Sequence, residues 1–213
     1  AAGARAGWRA TRPCTHPESG VVSDGAGGGR GAGMAEGDNS INPDQTWARC
    51  DRRSVEGKGS ETSEANNCHA KWDGKGRTGT VAKLSTGKLI GGYAGVSWAS
   101  SGGYTDSPNN FLFSLTNGFK HDPKAIRAEE HEQYHPANQG PTFGGGYDWN
   151  IKNDMNSGEC NLGNTYTCHG GSYQSAECQT ELCGALNTWS VDELEVWHHL
   201  GATRSPSASP TSV

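Results

Sequence analysis

Between residues 78 and 93 the chain has the short rhythm of a β-hairpin. Thr78-Gly-Thr-Val-Ala-Lys-Leu84 reads as one strand, Ser85-Thr-Gly-Lys88 as a turn and Leu89-Ile-Gly-Gly-Tyr93 as the return strand. Asn110-Phe-Leu-Phe-Ser-Leu115 carries an apolar run, which predicts a strand buried on both faces. Tyr147-Asp-Trp-Asn-Ile151 alternates again. Near the end, Ser190-Val-Asp-Glu193 has capping-box spacing and predicts one helical turn before a last strand, Leu194-Glu-Val-Trp197. Helical patterning is otherwise confined to residues 60–71, stopped at Asp73-Gly74, and to a polar stretch from Pro123 to His135. The two ends do not share this rhythm. Residues 1–37 hold ten Gly and eight Ala, and Ser205-Pro-Ser-Ala-Ser-Pro-Thr-Ser212 is linker-like. The pattern divides the chain into a Gly/Ala-rich arm over 1–46, a β-rich domain over 47–200 and a Ser/Pro-rich tail over 201–213.

Composition narrows the class. Val, Ile, Leu and Phe supply only 25 of 213 residues, below the roughly 20 % at which disorder is suspected. A net charge of −5, seven Trp and six Tyr point instead to one modest, aromatic-rich core. Thirty-two Gly favour a turn-rich β architecture over a helical bundle. No run approaches the length of a membrane-spanning helix, and a pI near 5.9 without a basic stripe argues against nucleic acid as a partner. The arms cannot bury enough apolar surface to offset their own ordering entropy, so ordered arms need contacts from another protein chain. Trp8 and Trp47 are the expected anchors on such a partner.

Seven Cys, at 14, 50, 68, 160, 168, 178 and 183, fit an oxidising compartment better than the cytosol. The opening Ala1-Ala2-Gly3-Ala4 resembles the residue of a processing site. The expected location is therefore extracytosolic, secreted or in an organelle lumen, after removal of a targeting peptide. Four Cys fall between 160 and 183 and suit a local disulfide framework; they allow three pairings, among which the sequence does not choose. Cys160 or Cys168 is expected to pair inside this loop, Cys14 with Cys50, and Cys68 is the thiol left over, a buried core group or a redox site.

Several segments in order resemble the TLDc domain family: Trp72-Asp-Gly-Lys-Gly76, Gly91-Gly-Tyr93 with Trp98, and Ser100-Ser-Gly-Gly-Tyr104. The series continues with Asn110–Leu115, then Gly140-Pro141-Thr-Phe143-Gly144-Gly145-Gly146 with Asp148, and closes on Glu193-Leu-Glu-Val-Trp197. The resemblance covers about residues 51–200. It implies a mainly β or α+β fold, a β-sandwich of two antiparallel sheets with a few short helices, in which these glycines are structural. It also implies no cofactor, no established catalytic set, a link to oxidative-stress protection and, in some eukaryotes, binding to the vacuolar proton pump. The chain departs from the family at Cys68, where an aromatic residue is usual, at Arg53-Ser-Val-Glu-Gly57, and in the cysteine-rich 160–183 loop.

Three functions follow as expectations. The first is a non-enzymatic protein-binding module, an accessory or structural subunit of a larger assembly, in peripheral contact with a membrane complex. The second is a zinc-dependent hydrolase. His131-Glu132-Gln-Tyr-His135 has the spacing that would place two imidazoles on one helix face with a Glu to polarise a bound water. Pro136 and the lack of a third ligand at the usual distance oppose it. The third is an extracellular carbohydrate- or matrix-binding module using Trp98 and Tyr104 as a stacking shelf. Asp38-Asn-Ser-Ile-Asn-Pro-Asp44 and Gly25–Gly31 read as an Asx-rich turn and a linker rather than as calcium or phosphate sites.

Overall fold

A computed structural model describes residues 47–54, 65–107, 109–124 and 131–200. The arm with Trp8, Cys14 and the 38–44 segment, and the tail from 201, lie outside the described residues.

The elements run β1 (Trp47–Ser54), α1 (Ala65–Trp72), β2 (Thr78–Leu84), β3 (Leu89–Ala94), β4 (Tyr104–Thr105), β5 (Phe111–Ser114) and β6 (Phe119–His121). They continue with β7 (Gln133–Tyr134), β8 (Thr142–Phe143), β9 (Trp149–Ile151), β10 (Gly158–Glu159), α2 (Ala176–Glu181) and β11 (Val191–His199). Every pairing is antiparallel. One sheet has the order β1-β11-β2-β3-β5-β6 and the other β10-β9-β8-β7-β4. Among the described residues this is the mainly β, two-sheet fold expected, with two short helices.

The hairpin 78–93 forms as read, and β5 is buried at all four positions. Two local expectations fail for tertiary reasons. Ser190 does not cap a helical turn; its backbone N–H donates to Ser85 Oγ and its carbonyl accepts from Ser85 N–H, both at 2.9 Å. Residues 191–193 then join β11 directly, through a bulge between Val191 and Glu193. The predicted helix from Pro123 to His135 is also absent from its described parts. Lys124 N–H donates to Thr165 C=O (2.8 Å), and Gln133 and Tyr134 sit as a strand between β4 and β8. Helix α2, by contrast, has no periodic apolar signal and starts on Ser175, whose Oγ accepts from Cys178 N–H.

The core lies between the sheets. Phe143 and Trp149 stack at 5.8 Å, and Trp98 meets Phe143 edge-on at 5.5 Å. Phe143 lies directly on the backbone of Gly92, where a Cβ would come within 2.7 Å of its ring. Successive strand residues face opposite ways, so Gly91 turns to the other face and meets the Phe113 ring there. That face carries a second aromatic cluster of Tyr93, Phe111 and Phe113. Trp47, expected as a partner anchor, stands in β1 and packs edge-on against Tyr93 and His199 of its own chain.

Gly92→Ala is expected to lower stability by about 2 kcal/mol, because the added methyl overpacks a fixed ring. The check is a fall in the urea midpoint at unchanged m-value. An unchanged midpoint would show that Phe143 gives way freely.

Candidate functional site

The glycine-rich segment 140–146 builds a turn around one carboxylate. Gly140 leaves room for Met155 Sδ and Ile151, and Gly144, at φ +82°, brings the backbone against the Asp148 side chain. Asp148 is fully buried. Its two oxygens accept the N–H groups of Gly163 (2.9 Å), Asn164 (3.0 Å), Thr165 (2.9 Å) and Tyr166 (3.1 Å). Burial raises this carboxyl to about 7, against the pull of those four amides. Gly145 N–H adds a bond to Thr165 Oγ1 at 2.9 Å. The Gly140–Asp148 motif therefore has a structural role: it grips the start of the cysteine-rich loop.

Within that loop Cys160 pairs with Cys183 and Cys168 with Cys178, at Cα separations of 6.0 and 5.7 Å. The two bridges are nested. They fit an oxidising, extracytosolic location, and no helix among the described residues is long and apolar enough to cross a membrane. Cys50 and Cys68 are buried in the main core. The expected Cys14–Cys50 bridge involves a residue outside those described.

The folded loop carries His169 and Glu181 to His121 at the end of β6. One ligand atom from each lies within 4.8 Å of the others. Glu181 Oε1 is 3.0 Å from His169 Nδ1 and 3.5 Å from His121 Nδ1. His121 is fully buried, its Nδ1 donates to Thr167 C=O (2.9 Å) and its Nε2 has no hydrogen-bond partner. Burial lowers its pKa, against the pull of Thr167 and Glu181, and so favours the neutral ring. Glu181 is partly desolvated, which raises its pKa, but donors from His169 and Gly170 outweigh this and hold it below the usual range. Phe119 stacks beneath the His169 ring at 4.5 Å. Among the described residues this is the group able to hold a metal.

The other predicted metal site does not form. His131 and His135 flank β7 on an extended chain, so they share no helix face. Glu132 is buried and accepts the Ser107 N–H at 2.9 Å. His135 is buried with Nε2 at 2.8 Å from Thr105 Oγ1. The helix face on which the zinc-hydrolase expectation rested is therefore not formed. The carbohydrate shelf does not form either. Trp98 is buried and its indole N–H donates to Thr78 Oγ1 (2.8 Å), whereas Tyr104 is 43 % exposed. Tyr104, on β4, the last strand of its sheet, instead joins Tyr134 of β7 (4.7 Å) and His131 (4.6 Å) in an aromatic group.

Sequence reasoning missed His121 and Glu181. Their only signal was indirect: His169 follows Cys168 and Glu181 comes three residues after Cys178, so a Cys168–Cys178 pairing brings them together. It also missed His69, whose Nε2 reaches Gln139 C=O (2.7 Å) and whose Nδ1 reaches Asp73 (2.9 Å), which in turn accepts from Ser100 Oγ. This network ties the end of α1 to the 98–103 loop.

A family model described as the TLDc domain matches residues 60–199. No curated protein matches the chain.

Asp148→Ala leaves three buried amides and the half-buried Asn164 N–H without an acceptor and is expected to destabilise by several kcal/mol, at ~1–3 kcal/mol for each buried unsatisfied group. Amide exchange should accelerate first at 163–166, ahead of β2 and β3. Uniform acceleration would refute a local anchor.

A second test uses pH. Burial raises the Glu132 carboxyl to about 7, with Asp106 adding to the rise and the Ser107 amide opposing it. Its folded pKa lies above its unfolded one, so the folded state binds more protons in between, and stability falls as pH rises toward about 7. Asp148 acts in the same sense and the buried His121 and His135 in the opposite one. The difference between wild type and Glu132→Gln isolates Glu132. The variant is expected to gain on the order of 2 kcal/mol relative to wild type between pH 4.5 and pH 7.5. Parallel curves would contradict it.

Proposed function

The chain belongs to the TLDc domain family, and from that membership we propose that it is a non-enzymatic protein-binding module, an accessory subunit of a larger assembly. The TLDc domain is known in proteins related to oxidative stress, and a protective role there is part of the proposal. The observation that carries the reading is the exposed Tyr104 on β4, backed by the half-buried rings of Tyr134 on β7 and His131. Among the described residues β4 pairs with β7 alone, so its other side offers backbone donors and acceptors to an incoming strand. Tyrosine suits such a place, because the ring buries area while the hydroxyl stays wet. The two disulfides support a secreted or lumenal location, where the module would meet its partner or the outer face of a membrane complex.

The test is cross-linking mass spectrometry on complexes recovered from cells that make the protein. Cross-links should concentrate near residues 104 and 131–134. Tyr104→Ser should release the same partners at an unchanged melting temperature. Equal recovery by the variant, or turnover of a small substrate by the isolated protein, would overturn the reading.

A further inference from the structure

We propose that His121, His169 and Glu181 form a binding site for one divalent transition ion of the zinc type. The three come from separate elements: His121 ends β6, His169 lies in the loop after Cys168, and Glu181 ends α2. The Cys168–Cys178 bridge joins the segments that carry His169 and Glu181. An ion here would close a connection between the edge of the six-stranded sheet and the cysteine-rich loop.

The spacing suits the chemistry. Bonds of about 2.0–2.1 Å in tetrahedral geometry put neighbouring ligand atoms about 3.3–3.4 Å apart. The two separations from Glu181 Oε1, 3.0 and 3.5 Å, bracket that value. Two imidazole nitrogens with one carboxylate oxygen suit zinc, whereas calcium and magnesium take oxygen sets. Three protein ligands leave a fourth position, and the 44 % exposure of the His169 side chain gives it access to solvent. The site is also braced. Glu181 Oε2 accepts the Gly170 N–H at 2.7 Å, which orients the carboxylate, and Phe119 supports the His169 ring from one face. Among the described residues His121 pairs with Glu181, and its buried Nε2 has no hydrogen-bond partner. An ion entering at Nδ1 replaces the bond to Thr167 C=O and shifts the ring proton to Nε2. The competing explanation of the cluster is an ordinary His–Glu hydrogen bond that caps the 168–170 loop.

The experiment takes tag-free, oxidised, full-length protein, dialysed against chelator and titrated with Zn²⁺ alone in a calorimeter. One ion per chain is expected, with a rise in melting temperature on zinc addition, since a ligand that binds only the folded state stabilises it. Mg²⁺ and Ca²⁺ should give no heat. His169→Ala should weaken zinc binding more than a hundredfold, beyond the loss typical of a supporting residue, and abolish the thermal shift. Its melting temperature without metal should stay near wild type, because the side chain is exposed. His169→Gln serves as the second variant should alanine loosen the loop. Co²⁺ should give a four- or five-coordinate visible spectrum in wild type, lost in both variants. No saturable zinc uptake by wild type, or uptake equal in wild type and His169→Ala, would leave the hydrogen-bonded cap as the whole role of the cluster.

Discussion

The Asp148 carboxylate, buried beneath the glycine turn and gripped by four consecutive amides, is the constraint from which the functional half of the molecule is built. A buried carboxylate with that many donors can only be exchanged for another acceptor at the same point, so residues 163–166 have one place to go. From there the consequences branch. Tyr166 donates its hydroxyl to the Glu132 carbonyl at 2.8 Å, which positions the 131–135 segment and hence the aromatic group around Tyr104. In the other direction Thr167 C=O meets His121 Nδ1, and the chain arrives at His169 beside Glu181. Both candidate surfaces depend on the same anchor.

The disulfides complete what the carboxylate begins. Asp148 holds the early part of the loop, the Cys160–Cys183 bridge joins its two ends, and the Cys168–Cys178 bridge ties its middle to α2. A stretch of 24 residues with little apolar content thereby gains a defined shape without a core of its own, the solution that small exported domains commonly use. Its glycines serve the same end. Gly163, at φ +105°, lies close against the Tyr173 backbone, where a side chain would be strained.

The sheets obey a different logic. In β3, Gly92 accepts the Phe143 ring from the opposite sheet, and Gly91 accepts the Phe113 ring on the other face. Few aliphatic residues are needed because aromatic rings settle directly onto backbone. This is how a chain with only 25 Val, Ile, Leu and Phe still closes a core.

The sequence by itself determined the elements whose signal is local. The hairpin 78–93 and the apolar run at 111–114 carry their own periodicity, and the glycines of 140–146 read as structural. Tertiary structure decided the rest. Ser190-Val-Asp-Glu193 has the letters of a helix cap, but the exchange of hydrogen bonds with Ser85, 105 residues away, makes it strand. His131-Glu-Gln-Tyr-His135 has the letters of a zinc helix, but β4 and β8 on either side draw it into a ladder. His121, His169 and Glu181 show nothing in one dimension, since their spacing of 48 and 12 residues follows no period. They meet because a disulfide and a buried carboxylate, both long-range, choose where the loop lies. Local patterns record the backbone's preferences, whereas a site assembled across elements records only which distant groups had to be satisfied together.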